Sequence, residues 1–200
     1  MRLIVSELAC ERGGRVLFSG MGFAVESGGA ALLTGPNGAG KTSLLSILAG
    51  LSKPLSGEAR LEDAEGEEAD LSEEAHLIGH RDGLKSQLLV SENLGFSRAI
   101  LGSPSLSPKA ALAALGLGHV LDLPCAYLSA GQRRRVALAR LLVSRRPLWL
   151  LDEPTAALDS ASRTLLTRLL GDHLAAGGLL VAATHEPLGI EAAEIRIGEG

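Results

Sequence analysis

Two cysteines in 200 residues, Cys10 and Cys125, are too few and too scattered for a disulfide framework or a zinc site, and both read as reduced thiols. Aromatic rings are almost as scarce: three Phe, one Tyr and one Trp leave little for stacking nucleic-acid bases. Basic charge is not in excess either. A formal net charge of −4 argues against a general nucleic-acid binder, whose footprint is a basic face. No apolar run reaches the roughly 18 residues of a membrane span. The N-terminus Met1-Arg2-Leu3-Ile4-Val5-Ser6-Glu7 lacks a basic region leading into an apolar signal core. These absences predict a chain that is cytoplasmic or peripheral to a membrane. Its length suits one domain over residues 1–200, with a core that needs neither disulfides nor metal.

What the chain does have is glycine at chosen places. The apolar run Ala30 to Thr34 enters Gly35-Pro36-Asn37-Gly38-Ala39-Gly40-Lys41-Thr42 and leaves through the amphipathic stretch Ser43 to Ala49. Strand, glycine-rich turn and helix are the context that makes G-x-x-x-x-G-K-[ST] a phosphate-binding P-loop. Gly35, Gly38 and Gly40 allow successive N–H groups to point inward, where they and the positive end of the helix can hold a polyphosphate. Lys41 is expected to reach the β- and γ-phosphates, and the Thr42 hydroxyl to ligate Mg²⁺.

Around this loop, Leu3 to Leu8 reads as an edge strand, Arg15 to Ser27 as a second strand and Gly57 to Leu61 as a short third. The charge run Glu62 to Asp70 has no periodicity and reads as a solvated hairpin tip. Ala75 to Gly79 returns as a strand ending at His80. Between Ser91 and Arg145 the pattern changes to short helical pieces, including Pro108 to Leu115 and Ala130 to Val143, predicting a helical subdomain over about residues 86–145. Leu148 to Asp152 is apolar on both faces, as a central parallel strand is. A helix over Ser160 to Leu174 joins it to another strand, Gly178 to Thr184, and Glu194 to Ile197 can close the sheet.

Leu128-Ser129-Ala130-Gly131-Gln132 opens the basic helix Arg133 to Arg140. A serine hydroxyl and free N–H groups at a helix start make a second anion site. The three consecutive arginines point around a helix rather than along one face, which disfavours a nucleic-acid patch. Leu150-Leu151-Asp152-Glu153-Pro154 ends a strand in two carboxylates. After a P-loop, Asp152 is expected to hold Mg²⁺ through its water shell, and Glu153 to orient or deprotonate the attacking water.

With Ala157-Leu158-Asp159 and His185 following in order, the chain resembles the nucleotide-binding domains of ATP-binding cassette (ABC) ATPases over nearly its whole length. Leu128 to Gln132 departs from the family's LSGGQ by one Ala for Gly. The resemblance implies an α/β P-loop fold with an N-terminal antiparallel β subdomain and a helical subdomain carrying the signature. It implies MgATP held by the P-loop residues Gly35 to Ser43, a γ-phosphate contact from His185, and Asp159 lying across a dimer seam. In a sandwich of two copies, Ser129, Gly131 and Gln132 of one copy cover the nucleotide of the other. Since no span is present, the transport path is expected to belong to an integral membrane permease.

Cys10-Glu11-Arg12 stands where many relatives carry an aromatic against adenine, so the Arg12 guanidinium plane is expected to take the base. His80 stands at the glutamine of the Q-loop and is expected to meet Mg²⁺ through a water, since Mg²⁺ prefers oxygen ligands. Together with a chain that stops soon after His185, these features are similar to the CcmA family, the ATPase subunits of cytochrome c maturation, which pair with the permease CcmB. That resemblance implies a peripheral protein on the cytoplasmic face of the bacterial inner membrane, driving heme export or the release of a heme-loaded chaperone. A drug or polysaccharide exporter is the alternative, and a soluble ABC protein the weaker one. Direct heme binding through His119, His173 or Cys125 is not expected, because scattered His and Cys residues are usually structural. Part of the apolar stretch Leu84, Leu88, Leu89, Val90, Leu94 and Phe96 is expected to line a groove for a helix of the membrane subunit.

Overall fold

In the computed structural model, which describes residues 1–198, the chain forms an antiparallel sheet, a parallel sheet and a helical layer. Strands β1 (Arg2–Arg12), β2 (Arg15–Glu26), β4 (Ser56–Glu62) and β5 (Glu68–Ala69) make the first sheet, in the order β2-β1-β4-β5. The strand expected at an edge is therefore central: β1 pairs antiparallel with β2 on one side and β4 on the other. Its alternation arises because one face of the whole sheet is buried, which inner and edge strands share. Leu3 and Val5 face the core while Arg2 and Glu7 stay in water. The charge run forms the tip of the β4–β5 hairpin, where the Asp63 carboxylate accepts from the N–H groups of Glu65 and Glu67.

The second sheet contains β3 (Ala30–Thr34), β6 (Ala75–Ile78), β7 (Leu148–Asp152), β8 (Leu179–Ala183) and β9 (Ala193–Arg196), all parallel, in the order β6-β7-β8-β3-β9. β6 ends at Ile78, two residues short of His80, which lies in the following loop. Every residue of β7 and β8 is buried, which accounts for their unbroken apolar character. Alternate side chains feed two cores. Leu148 and Leu150 pack towards β1 and helix α1 (Lys41–Leu48), whereas Trp149 and Leu151 pack towards the helical side.

The helical side holds α3 (Val90–Leu101), α4 (Pro108–Ala114), α5 (Ala130–Val143) and α6 (Ser160–Ala175), with the single turn α2 (Leu71–Glu74) leading into β6. Ser107 caps α4 by accepting from the Ala110 N–H, with Pro108 at the first helical position, where its missing N–H costs nothing. The strand order places the carboxyl ends of β7, β8 and β3 side by side. In open parallel sheets this end forms the binding crevice.

Candidate active site

The P-loop leaves β3 through Gly35, at φ 132, where a Cβ would strike the Ile197 carbonyl oxygen beside it. It enters α1 through Gly40, the helix N-cap, at φ 109 and with its missing Cβ only 2.9 Å from the Phe18 ring. A side chain at either place would push the loop off the sheet end. The first N–H groups of α1 have no intrahelical partner and open onto the crevice. Lys41 is buried, and its Nζ donates to the carbonyls of Gly35 at 2.7 Å and Pro36 at 3.0 Å. Phosphate oxygens are stronger acceptors for an ammonium than these neutral carbonyls, so the bonds are exchangeable.

Opposite the loop, β7 delivers two carboxylates in different settings. Asp152 is buried, and its Oδ2 accepts from the Thr42 hydroxyl at 2.8 Å. Glu153 follows at φ 48, a left-handed backbone held by its N–H bond to the Ala183 carbonyl at 2.8 Å. Such non-glycine conformations concentrate at functional sites. Glu153 Oε1 lies 3.6 Å from His185 Nε2, which is in turn 3.2 Å from Asn37 Oδ1. Loop, carboxylate and histidine thus meet at one place.

They line a cleft of about 460 Å³ together with Arg12, Leu17, Gly38, Gly40, Lys41, Thr42, Ser43, His80 and Asp152. The Arg12 guanidinium is steadied by donation to Ser52 Oγ at 2.8 Å, and His80 is exposed on the wall. Gly35, Pro36 and Ala39 do not line the cleft: the first two supply acceptors for Lys41, and Ala39 is tucked into the core beneath the loop. The Thr42 hydroxyl and Asp152 carboxylate form an oxygen donor pair, the chemistry Mg²⁺ selects. No group of three or more His, Cys, Asp and Glu is gathered among the described residues.

The signature residues lie outside this cleft. Ser129 caps α5, its Oγ accepting from the Gln132 N–H at 3.2 Å while Gln132 Oε1 accepts from the Ser129 N–H at 2.9 Å. This reciprocal capping box fixes the helix start. Gly131 is seated on the loop after β7, where a Cβ would come within 2.9 Å of the Ala157 carbonyl. Ala130, where the signature departs from its family form, is exposed. Asp159 is also engaged locally: it caps α6 through the Ser162 N–H at 2.8 Å. Hydrogen bonds from Ser162, with Arg135 nearby, lower its pKa.

Sequence reasoning missed Arg134. Of the three consecutive arginines it alone is buried, donating to the carbonyls of Gly79 at 2.8 Å, Asp152 at 2.7 Å, Glu153 at 2.8 Å and Pro154 at 3.4 Å, with Asp82 Oδ1 at 3.4 Å. It ties the signature helix to the end of β7 and to the loop that carries His80. The spacing of Arg134 with Ala137, Leu138 and Leu141 marks one buried helix face and was the available signal. In the apolar stretch beyond His80, Val90 and Leu94 are wholly buried and belong to the core. Leu84 and Phe96 do line a small groove, of about 120 Å³, with Lys85, Ile100 and Arg140. Cys125 is buried against the Asn93 amide, and His173 stacks on Trp149 with ring centroids 3.7 Å apart, so both are used in packing.

A family model described as ABC transporter matches residues 18–156. The chain belongs to the ABC ATPases. Proteins named cytochrome c biogenesis ATP-binding export protein CcmA are similar over its full length. The one from Nitrobacter winogradskyi is 56% identical over 198 residues, covering 99% of this chain and 98% of that protein. The one from Rhodopseudomonas palustris is 55% identical over 191 residues, covering 96% and 95%. Among solved structures, a dimeric ATP-binding cassette in a post-hydrolysis state bound to ADP and Pi superposes with a TM-score of 0.77 at 23% identity, covering 92% of this ABC ATPase and 88% of that chain. That likeness establishes the fold. As a member of the family, the chain binds and hydrolyses ATP. No helix among the described residues is long and apolar enough to cross a membrane.

Proposed function

We propose that this ABC ATPase is the ATP-hydrolysing subunit of a membrane export complex for cytochrome c biogenesis. Two copies work at the cytoplasmic face of the bacterial inner membrane on a CcmB-like permease, and hydrolysis drives heme export or the release of a heme-loaded chaperone. Full-length identity of about half to relatives bearing that name supports the cargo. The observation that carries the enzymatic reading is the convergence of Thr42, Asp152, Glu153, His185 and Asn37 on one P-loop cleft.

Lys41 and the N–H groups of the loop and first helical turn hold the β- and γ-phosphates of ATP. Thr42 and Asp152 would hold Mg²⁺, which supplies charge neutralisation at the phosphates when bound. Glu153 orients the attacking water and accepts its proton as the water oxygen bonds to the γ-phosphorus and the bridging P–O bond to ADP breaks. His185, placed by Asn37, contacts the γ-phosphate. Arg12 takes the base, and Ser129, Gly131 and Gln132 of the second copy close the site, with Asp159 at the seam. His80 reports nucleotide through a water to the groove at Leu84 and Phe96, where a permease helix docks.

Steady-state ATPase with Glu153→Gln tests this: turnover falls by about 10²–10⁴-fold, the range for a positioned base, while ATP binding is kept and a dimer accumulates. Near-normal turnover removes Glu153 from the mechanism. Affinity purification from detergent-solubilised membranes should recover a CcmB-like integral protein. Recovery of a drug or polysaccharide permease instead overturns the cargo assignment.

A further inference from the structure

The nucleotide cleft has a wall for phosphates and almost none for a base. No Phe, Tyr or Trp is among its lining residues, and Phe18, whose ring lies against Gly40, is buried. Arg12 lines the cleft and is exposed. In a chain so poor in aromatics, the single tyrosine, Tyr127, is 78% exposed, more than any other large apolar side chain among the described residues. It stands two residues ahead of Ser129.

Its backbone is fixed although its ring is in water. The 3₁₀ turn Cys125–Tyr127 is pinned by the Cys125 N–H to the Leu88 carbonyl at 3.0 Å and the Ala126 N–H to the Ser86 carbonyl at 2.9 Å. Cys125 and Leu128, on either side of the exposed pair, are buried anchors. Leu128 is extended, at φ −79 and ψ 143, so the backbones at 127 and 129 stand about 7 Å apart, and the ring adds its own length. A nucleotide has the same build. Its base stands off from its terminal phosphate, so a protein segment meeting both needs an anion contact and a ring separated by this kind of spacer.

We propose that Tyr127 is the base platform of the nucleotide site. In the two-copy arrangement above, on which this inference rests, the Tyr127 ring of one copy stacks on the adenine held by the P-loop of the other, opposite Arg12. The aromatic missing from the cleft is thereby supplied across the seam. Because every base has a π-face, such a platform binds adenine and guanine almost alike.

The test uses full-length protein carrying Glu153→Gln, with dimer formation followed by light scattering as nucleotide is titrated. Adding Tyr127→Ala raises the ATP concentration for half-maximal dimerisation about tenfold, within the range measured when stacking residues are truncated, whereas Tyr127→Phe leaves it unchanged. Inorganic tripolyphosphate, which has no base, protects the P-loop of all variants from proteolysis equally. Photolabelling the dimer with 8-azido-ATP places label on the peptide containing Tyr127. If ATP produces no dimer in the Glu153→Gln protein, the sandwich reading falls and this inference with it. If the dimer forms but Tyr127→Ala matches the parent and the label is confined to other segments, the inference alone is overturned. An equal loss with tripolyphosphate would also overturn it, because that marks a merely structural role at the signature turn.

Discussion

The nucleotide cleft and the seam between α5 and the parallel sheet are both polar, and they treat their polar groups in opposite ways. In the cleft, Lys41 rests on neutral carbonyls, His185 is exposed, and Glu153 holds a left-handed backbone, so the bonds present are ones a charged ligand can replace. At the seam, Arg134 is buried with its guanidinium saturated by four carbonyls. His76 is buried with no protein partner for either ring nitrogen among the described residues. Both Arg134 and His76 are shut away from solvent. Chemistry is kept where bonds can be exchanged, and the joint that positions it is built from bonds that cannot.

Replacing a residue on one side should therefore change activity, and on the other stability. Lys41→Ala lowers ATP affinity by about 10–100-fold, since it deletes a charge-assisted contact to phosphate, and shifts unfolding by no more than about 1 kcal/mol. Isothermal titration and denaturant melts on one preparation check both halves. Arg134→Met reverses the pattern: five buried or half-buried acceptors lose their donor, and stability falls by about 3–5 kcal/mol in urea unfolding. A melt unchanged by that substitution would dissolve the contrast between the two regions.

His76 sharpens the comparison through pH. Burial, then the neighbouring Arg140 and Arg146, lower its pKa from 6.5 to about 3, so the fold holds the ring neutral. A depressed histidine pKa means the stability is complete above pH 6.5 and is lost as pH falls towards 3, by up to about 1.4 kcal/mol per pH unit. His76→Phe removes that share of the acid slope, visible as a flatter plot of unfolding free energy between pH 6.5 and 4. The smallest effect concerns the signature itself. Gly131→Ala forces a Cβ against the Ala157 carbonyl and costs about 1–3 kcal/mol, whereas Ala130→Gly, at an exposed position, costs under about 1 kcal/mol. Paired thermal melts of the two variants measure the difference.

Much of this was legible in the chain because the decisive signals are local. The glycines of the P-loop, the doubly apolar run of β7 and the Leu128–Gln132 signature each announce themselves within a few residues, and the strands and helices appear close to their expected bounds. What escaped depends on neighbours distant in sequence. Alternation in β1 shows one buried face but not that strands pair on both its edges. Arg134 sits in a run of three arginines that points around its helix, and only the carbonyls of Gly79 and of residues 152–154 reveal why it is buried. The capping roles of Ser129 and Asp159 compete with their expected roles at nucleotide, and only the folded chain shows the local partners they already have.

The sheet order has a consequence for how the protein is made. The strand before the P-loop and the strand carrying the Asp152 carboxylate are not neighbours: β8, late in the chain, lies between them and pairs with both. As the polypeptide leaves the ribosome, the P-loop emerges early, yet Thr42 and Asp152 are brought into register only after Leu179–Ala183 has been added and threaded between their strands. A nascent chain that ends before that strand lacks the element that bridges β3 and β7.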